Sequence, residues 1–220
     1  MFATIDIDSY NVEMEKKKLK KVVGSGKVAL LVIDMQGDYC EFGYYMDKAG
    51  YDIDRLRAPI PSINNILNVA RNFDIPVIYT RQYRAIENTN ISEDKNTFPT
   101  TSLKGEPGWE IIAELKPHKD DTILDKTTCS VFASTKIDKF LKENSINTLI
   151  FCGNTIDVCV HSSLRSANDL GYNCITISDC CGAINDRLYK WSLESIKVED
   201  GVFGDVISSE DLIAALKISG

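Results

Sequence analysis

The stretch TLIFCGNTIDVCVHSSLRSANDLG (148–171) decides the fold, because its hydrophobic period changes half-way along. Residues Thr148–Cys152 are a short β-branched, aliphatic and aromatic run closed by Gly153, the pattern of a strand buried on both faces. After the turn, Val160, Leu164, Ala167 and Leu170 recur at helical spacing and Gly171 supplies a terminator, so a helix is expected. Cys159 is thereby expected in the first turn of a helix that starts at the carboxyl end of a buried strand. Unpaired N–H groups and the helix dipole favour a thiolate at such a place. Cysteine is also a small hydrophobe that cores bury without chemical purpose. Position alone leaves both readings open.

Working outward, strand-like runs occur at 27–33, 75–80, 122–124, 148–152, 174–178 and 202–207. Near-continuous apolar strands imply a parallel sheet covered on both faces. Helical patterns fall between them, at 60–73, 134–143, the Cys159 segment, 189–198 and 209–216. Alternation of this kind gives an α/β fold: a three-layer α/β/α arrangement around a central, mostly parallel six-stranded Rossmann-like sheet. With no internal repeat or linker, residues 27–220 are expected to be one domain and 1–26 a weakly attached N-terminal extension. Its basic cluster, Lys16 to Lys21, reads as a solvated helix face. Pocket specificity is expected to come from loops 35–57 and 82–108.

Composition narrows the function. A chain of 220 residues can bury a sizeable core, and its net charge of −7 argues against nucleic acid and anionic membranes as partners. No apolar run reaches the roughly 18 residues of a spanning helix, and the polar residues 1–26 do not resemble a signal peptide. The seven cysteines are an odd number and several lie in strand-like runs, which fits reduced thiols in a cytoplasmic protein. There is no Cys-x-x-Cys pair and the histidines are His118 and His161 alone, so no metal and no cofactor are expected.

Open parallel sheets bind ligands beyond the carboxyl ends of their strands. The expected strands end at Asp34 in LLVIDMQGDY, at Asp125-Lys126 in TILDKTT, at the turn leading to Cys159, and at Asp179 in ITISDCCGA. Singly, such an aspartate can be a helix cap or a hydrogen-bond hub, and such a lysine plain surface. Together, a carboxylate, an ammonium and a thiol at one crevice point to nucleophilic catalysis.

The segments VIDMQGDY, TILDK, GNTIDVCVHSSLRSANDLGY and ITISDCCGA resemble the isochorismatase-like cysteine hydrolases, over about residues 27–216. DKAGYDIDRLRAPI, GEPGWEII, DVCVH and GVFG are most similar to the amidohydrolases of ureido compounds: biuret hydrolase, triuret hydrolase and ureidoacrylate amidohydrolase. The resemblance implies a catalytic triad of Asp34, Lys126 and Cys159, acting on a small linear amide or ureide through a thioester-type intermediate. It also implies a cis peptide at Asn154–Thr155, an oxyanion hole from the backbone N–H groups of Thr155 and Cys159, and a homodimer or homotetramer. Substrate contacts are expected from Tyr39 and from Glu199, which stands where biuret hydrolases carry an amide side chain. A surface acid on a last helical turn is the plainer reading of Glu199. Two branches fit less well. Nicotinamidases bind metal through histidines that 35–75 lacks, and isochorismatases proper generally lack the cysteine. Alternatives from other classes are a catalytically idle binding protein and a redox-sensing thiol protein built on Cys159 and Cys180-Cys181.

Overall fold

The computed structural model describes residues 27–83 and 102–219, and side chains as far as residue 216. The N-terminal extension, its lysine cluster and most of the 82–108 loop therefore lie outside the described residues. Six strands form one sheet in the order β3-β2-β1-β4-β5-β6. They are β1 Lys27–Ile33, β2 Val77–Gln82, β3 Thr122–Lys126, β4 Ile146–Gly153, β5 Asn173–Cys181 and β6 Asp205–Ile207. Every pairing is parallel, so the sheet is wholly rather than mostly parallel. The order reverses between β1 and β4, whose carboxyl ends flank the crevice where such sheets bind ligands.

Alternate residues of each strand supply the two faces. Leu30, Val32, Tyr79, Ile150 and Ile175 pack against α4 (Ile60–Asn72) and α9 (Ser209–Ser219), through Ile63, Ile66, Leu67 and Leu212. Ala29, Leu31, Ile33, Leu149 and Phe151 meet α6 (Ile137–Glu143), α7 (His161–Asp169) and α8 (Asp186–Gly201), through Leu141, Leu164 and Ile196. Among the described residues no helix is long and apolar enough to cross a membrane.

Several boundaries differ from expectation for physical reasons. Strand β2 starts beyond Pro76, which has no N–H to donate, although its carbonyl still accepts from Leu30 N–H at 2.9 Å. It also runs on to Gln82. Strands β3 and β5 are longer than their apolar runs, so Lys126 and Asp179 lie inside strands, their polar side chains satisfied locally. Asp179 accepts from Ser209 N–H (2.7 Å) and Oγ (2.5 Å) at the start of α9. It is a structural hydrogen-bond hub. The 134–143 pattern divides into α5 (Val131–Ser134) and α6, with Thr135 extended between them. Leu170, expected on the apolar stripe of α7, is 47% exposed. Loop 35–57 folds into the short helices α1 (Gly37–Cys40), α2 (Tyr45–Lys48) and α3 (Ile53–Arg57).

The turn after β4 departs most. Cys159 sits in a π-helical turn, Ile156–Val160, where Val160 N–H reaches back five residues to the Thr155 carbonyl at 3.2 Å. The regular helix α7 begins only at His161. The chain enters this turn through Gly153, whose φ is +115°. A Cβ there would stand 2.1 Å from the Ile33 carbonyl oxygen, so only glycine lets the ends of β4 and β1 close up.

Gly153→Ala should therefore cost at least about 2 kcal/mol, lowering Tm by roughly 4–8 °C for a domain of this size. Thermal unfolding followed by circular dichroism measures it; an unchanged Tm would show that the two strand ends are not held in contact.

Candidate active site

Asp34 follows β1 directly, in a left-handed conformation (φ +48°) that aspartate tolerates better than most residues. Its Oδ1 accepts from Thr80 Oγ1 at 2.6 Å, and its own N–H donates to the same Thr80 oxygen at 3.1 Å. Its Oδ2 lies 2.6 Å from Lys126 Nζ, with both side chains wholly buried. Lys126 Nζ also donates to Gln82 Oε1 (3.1 Å) and to the Thr128 carbonyl (2.9 Å). The ammonium thus has two hydrogen-bond acceptors beside its ion pair. Burial pulls the Lys126 pKa down, but the neighbouring Asp34 and Cys159 outweigh it and leave the group above its ordinary value.

Gln82 is the residue that joins the pair to the thiol. Its Oε1 accepts from Lys126 Nζ, from Cys159 Sγ at 3.2 Å and from Tyr39 hydroxyl at 3.3 Å. Three donors on one amide oxygen exceed its two lone pairs. A substrate carrying its own acceptor can take over one of them. The Gln82 backbone is fixed by Gln36: its N–H donates to Gln36 Oε1 (2.6 Å), and Gln36 Nε2 donates to the Gln82 carbonyl (3.0 Å). Gln36 Nε2 also donates to the Trp109 carbonyl at 3.0 Å, which ties the GEPGWEII segment to the site. Sequence reasoning missed Gln82 because β2 was expected to stop at Thr80, two residues short. Tyr39, expected near substrate, is buried in α1 with its hydroxyl at this cluster; burial first, then Cys159 and Asp34, hold it well above the usual phenol range.

A second thiol was also missed. Cys129 stands exposed in the loop after β3. Its pKa is lowered to about 6, by the neighbouring Cys159 and then, against burial, by the Lys126 ammonium. Cys159 is pushed the other way, well above an ordinary thiol, by the neighbouring Cys129, by burial and by the Asp34 charge. This corrects the expectation that a helix start and a neighbouring lysine would lower Cys159. Lys126 does lower it, but three larger effects oppose.

The Asn154–Thr155 peptide is cis. Asn154 is anchored by donating to the Leu56 carbonyl (2.9 Å) and Cys40 Sγ (3.2 Å), and Thr155 N–H is taken up by no hydrogen bond among the described residues. Glu199 lies at a break in α8, exposed and left-handed (φ +49°), with no hydrogen bond or ion pair to the strand-end cluster. Among the described residues no group of three or more His, Cys, Asp or Glu could hold a metal ion.

A family model, the isochorismatase domain, matches residues 28–211. The chain belongs to the isochorismatase family. It is 31% identical over 206 residues to the ureidoacrylate amidohydrolase RutB of Variovorax paradoxus (strain S110), covering 84% of this chain and 79% of that protein. To the RutB of Acinetobacter baylyi it is 28% identical over 200 residues, covering 83% and 82%. Of solved structures, a cysteine hydrolase from Pseudomonas syringae pv. phaseolicola 1448A matches with a TM-score of 0.76 and 25% identity, covering 88% of this chain and 94% of that one.

For this isochorismatase-family chain the two thiols should titrate apart. In native protein, iodoacetamide should modify Cys129 first, with a rate that reaches half its maximum near pH 6, while Cys159 resists until far more alkaline pH. Peptide mass mapping across pH reads both; Cys159 labelled first at neutral pH would reverse the proton's position.

Proposed function

We propose that this protein is a cysteine-dependent amidohydrolase that cleaves a C–N bond of a small linear amide or ureide, of the biuret or ureidoacrylate kind. The observation that carries the reading is the wholly buried Asp34–Lys126 pair, joined through one amide oxygen to the Cys159 thiol. The relatives named ureidoacrylate amidohydrolase support the substrate class.

In this reading the Cys159 sulfur attacks the carbonyl carbon while its proton passes to Asp34. Because the resting thiol is neutral, proton removal accompanies attack rather than preceding it. The oxygen of the tetrahedral intermediate accepts from the N–H groups of Thr155 and Cys159. Collapse expels the nitrogen, which takes the proton from Asp34, and leaves an acyl group on Cys159 as a thioester. Asp34 then removes a proton from water, which releases the acid and restores the thiol. Lys126 keeps Asp34 and the developing thiolate charged. A cation already fills the place beside the carboxylate, so the chemistry needs no metal. Tyr39 and Gln82 present the polar groups that meet the ureide, and Glu199 reaches substrate only if the break in α8 moves toward the strand ends.

Ammonia release from ureidoacrylate, biuret, triuret, carbamoylated amino acids and nicotinamide tests the reading. Turnover is expected on a linear ureide and none on nicotinamide. Cys159→Ala should abolish it with folding intact, and Asp34→Asn should reduce kcat at least about a hundredfold. Activity within tenfold of the unaltered protein in Cys159→Ala would overturn the mechanism.

A further inference from the structure

In the proposed reaction the Cys159 proton passes to Asp34, yet the structure does not join the two. The Cys159 thiol donates instead to Gln82 Oε1, at 3.2 Å, and no hydrogen bond links it to Asp34 among the described residues. Asp34 keeps an acceptor open. Its Oδ1 is taken by Thr80 Oγ1, but its buried Oδ2 receives no hydrogen bond beyond the Lys126 ion pair. Lys126 Nζ touches both sides, 2.6 Å from Asp34 Oδ2 and 3.1 Å from Gln82 Oε1.

The Gln82 oxygen is overcommitted. A lysine ammonium, the Tyr39 hydroxyl and the Cys159 thiol all donate to it, and it has two lone pairs. Of these donors the thiol S–H is the weakest. The residue is half-buried, so the crevice reaches it, and its backbone is held from two sides. On one side Gln82 stands in register with Lys126 of β3. On the other, Gln36 exchanges two hydrogen bonds with its peptide groups, at 2.6 and 3.0 Å. A change of side chain at this position therefore leaves the backbone supported.

We propose that Gln82 is a positioning residue that holds the Cys159 thiol away from Asp34 until a substrate N–H displaces it. A ureide or amide N–H is a stronger donor than S–H and takes the thiol's place on Gln82 Oε1. The S–H then turns to the open lone pair of Asp34 Oδ2, the arrangement that proton transfer requires. No covalent bond changes in this step, and the proton stays on sulfur until attack. Substrates that carry an N–H thus arm their own nucleophile, and esters that carry none do not. The arming rests on the catalytic reading of Cys159 and Asp34; the hold of Gln82 on the thiol does not.

The test pairs two variants of the native full chain, Gln82→Leu and Gln82→Glu. Methyl methanethiosulfonate, which has no N–H, is reacted with each at pH 8 without substrate, and peptide mass mapping follows Cys159. Leucine removes the acceptor that favours the neutral thiol and leaves a Lys126 proton for the thiolate, so Cys159 should react at least about threefold faster. Glutamate keeps the shape but sets a like charge beside the thiolate, so Cys159 should react more slowly than in the unaltered protein. Local loosening would speed both variants. Equal rates in Gln82→Leu and the unaltered protein, or faster reaction in both variants, would overturn the proposal. With substrate, Gln82→Leu should lose at least about tenfold in kcat/KM on a linear ureide. The part of its p-nitrophenyl acetate hydrolysis that Cys159→Ala abolishes should not fall, so a more reactive thiol accompanies a slower ureidase. Equal losses on ureide and ester would also overturn it. A protein that hydrolyses neither compound removes the hydrolase reading alone, because the labelling rates still decide whether Gln82 holds the thiol.

Discussion

The Lys126 ammonium and the Asp34 carboxylate meet at 2.6 Å with both side chains shut off from solvent, and the strand ends are organised around the cost of that burial. Removing two such charges from water costs several kcal/mol each. Their mutual attraction, about 4 kcal/mol at 4 Å under an effective dielectric near 20, offsets only part of it. The remainder comes from charge-assisted hydrogen bonds, each about 1.5–3 kcal/mol, which Thr80 makes to the carboxylate and Gln82 and the Thr128 carbonyl make to the ammonium. The sum is close to balanced. An apolar pair of similar volume would serve the fold as well, so stability does not explain why these two residues stand there. The proposed chemistry at the crevice would.

The same charges decide the state of the nucleophile. A lysine alone beside a cysteine would yield a resting thiolate. Here Asp34 is held next to that lysine, the sulfur is buried, and Cys129 competes for the negative charge. The net effect raises the Cys159 pKa, so under the proposed mechanism the thiol needs a base at the moment of attack, the role proposed for Asp34.

Much of this was legible in the sequence because it follows from periodicity. The switch from a continuous apolar run to a helical period across Gly153 placed a strand and a helix, and the alternation of strand and helix over the whole chain gave the parallel sheet. The strand-end positions of Asp34 and Lys126, and of Cys159 in the following turn, follow from that frame. What was not legible depended on side chains that finish an element without apolar signal. Strand β2 continues through Arg81 and Gln82, where Arg81 stacks over Trp109 at 3.5 Å and pairs with Asp125, so the residue at the centre of the site was read as loop. Cys129 follows the strand in a polar stretch, TTCS, where no pattern distinguishes it. The raised pKa of Cys159 depends on residues from different strands and loops, which no local pattern encodes.

The central claim is that Cys159 becomes acylated by the substrate. Rapid mixing of the protein with a linear ureide that it turns over, followed by acid quench and peptide mass mapping, reads this directly. An acyl adduct on the peptide containing Cys159, formed and lost at rates at least equal to turnover, is the expected result. Turnover with no adduct on Cys159 at any mixing time, or an adduct carried by another residue, would contradict it.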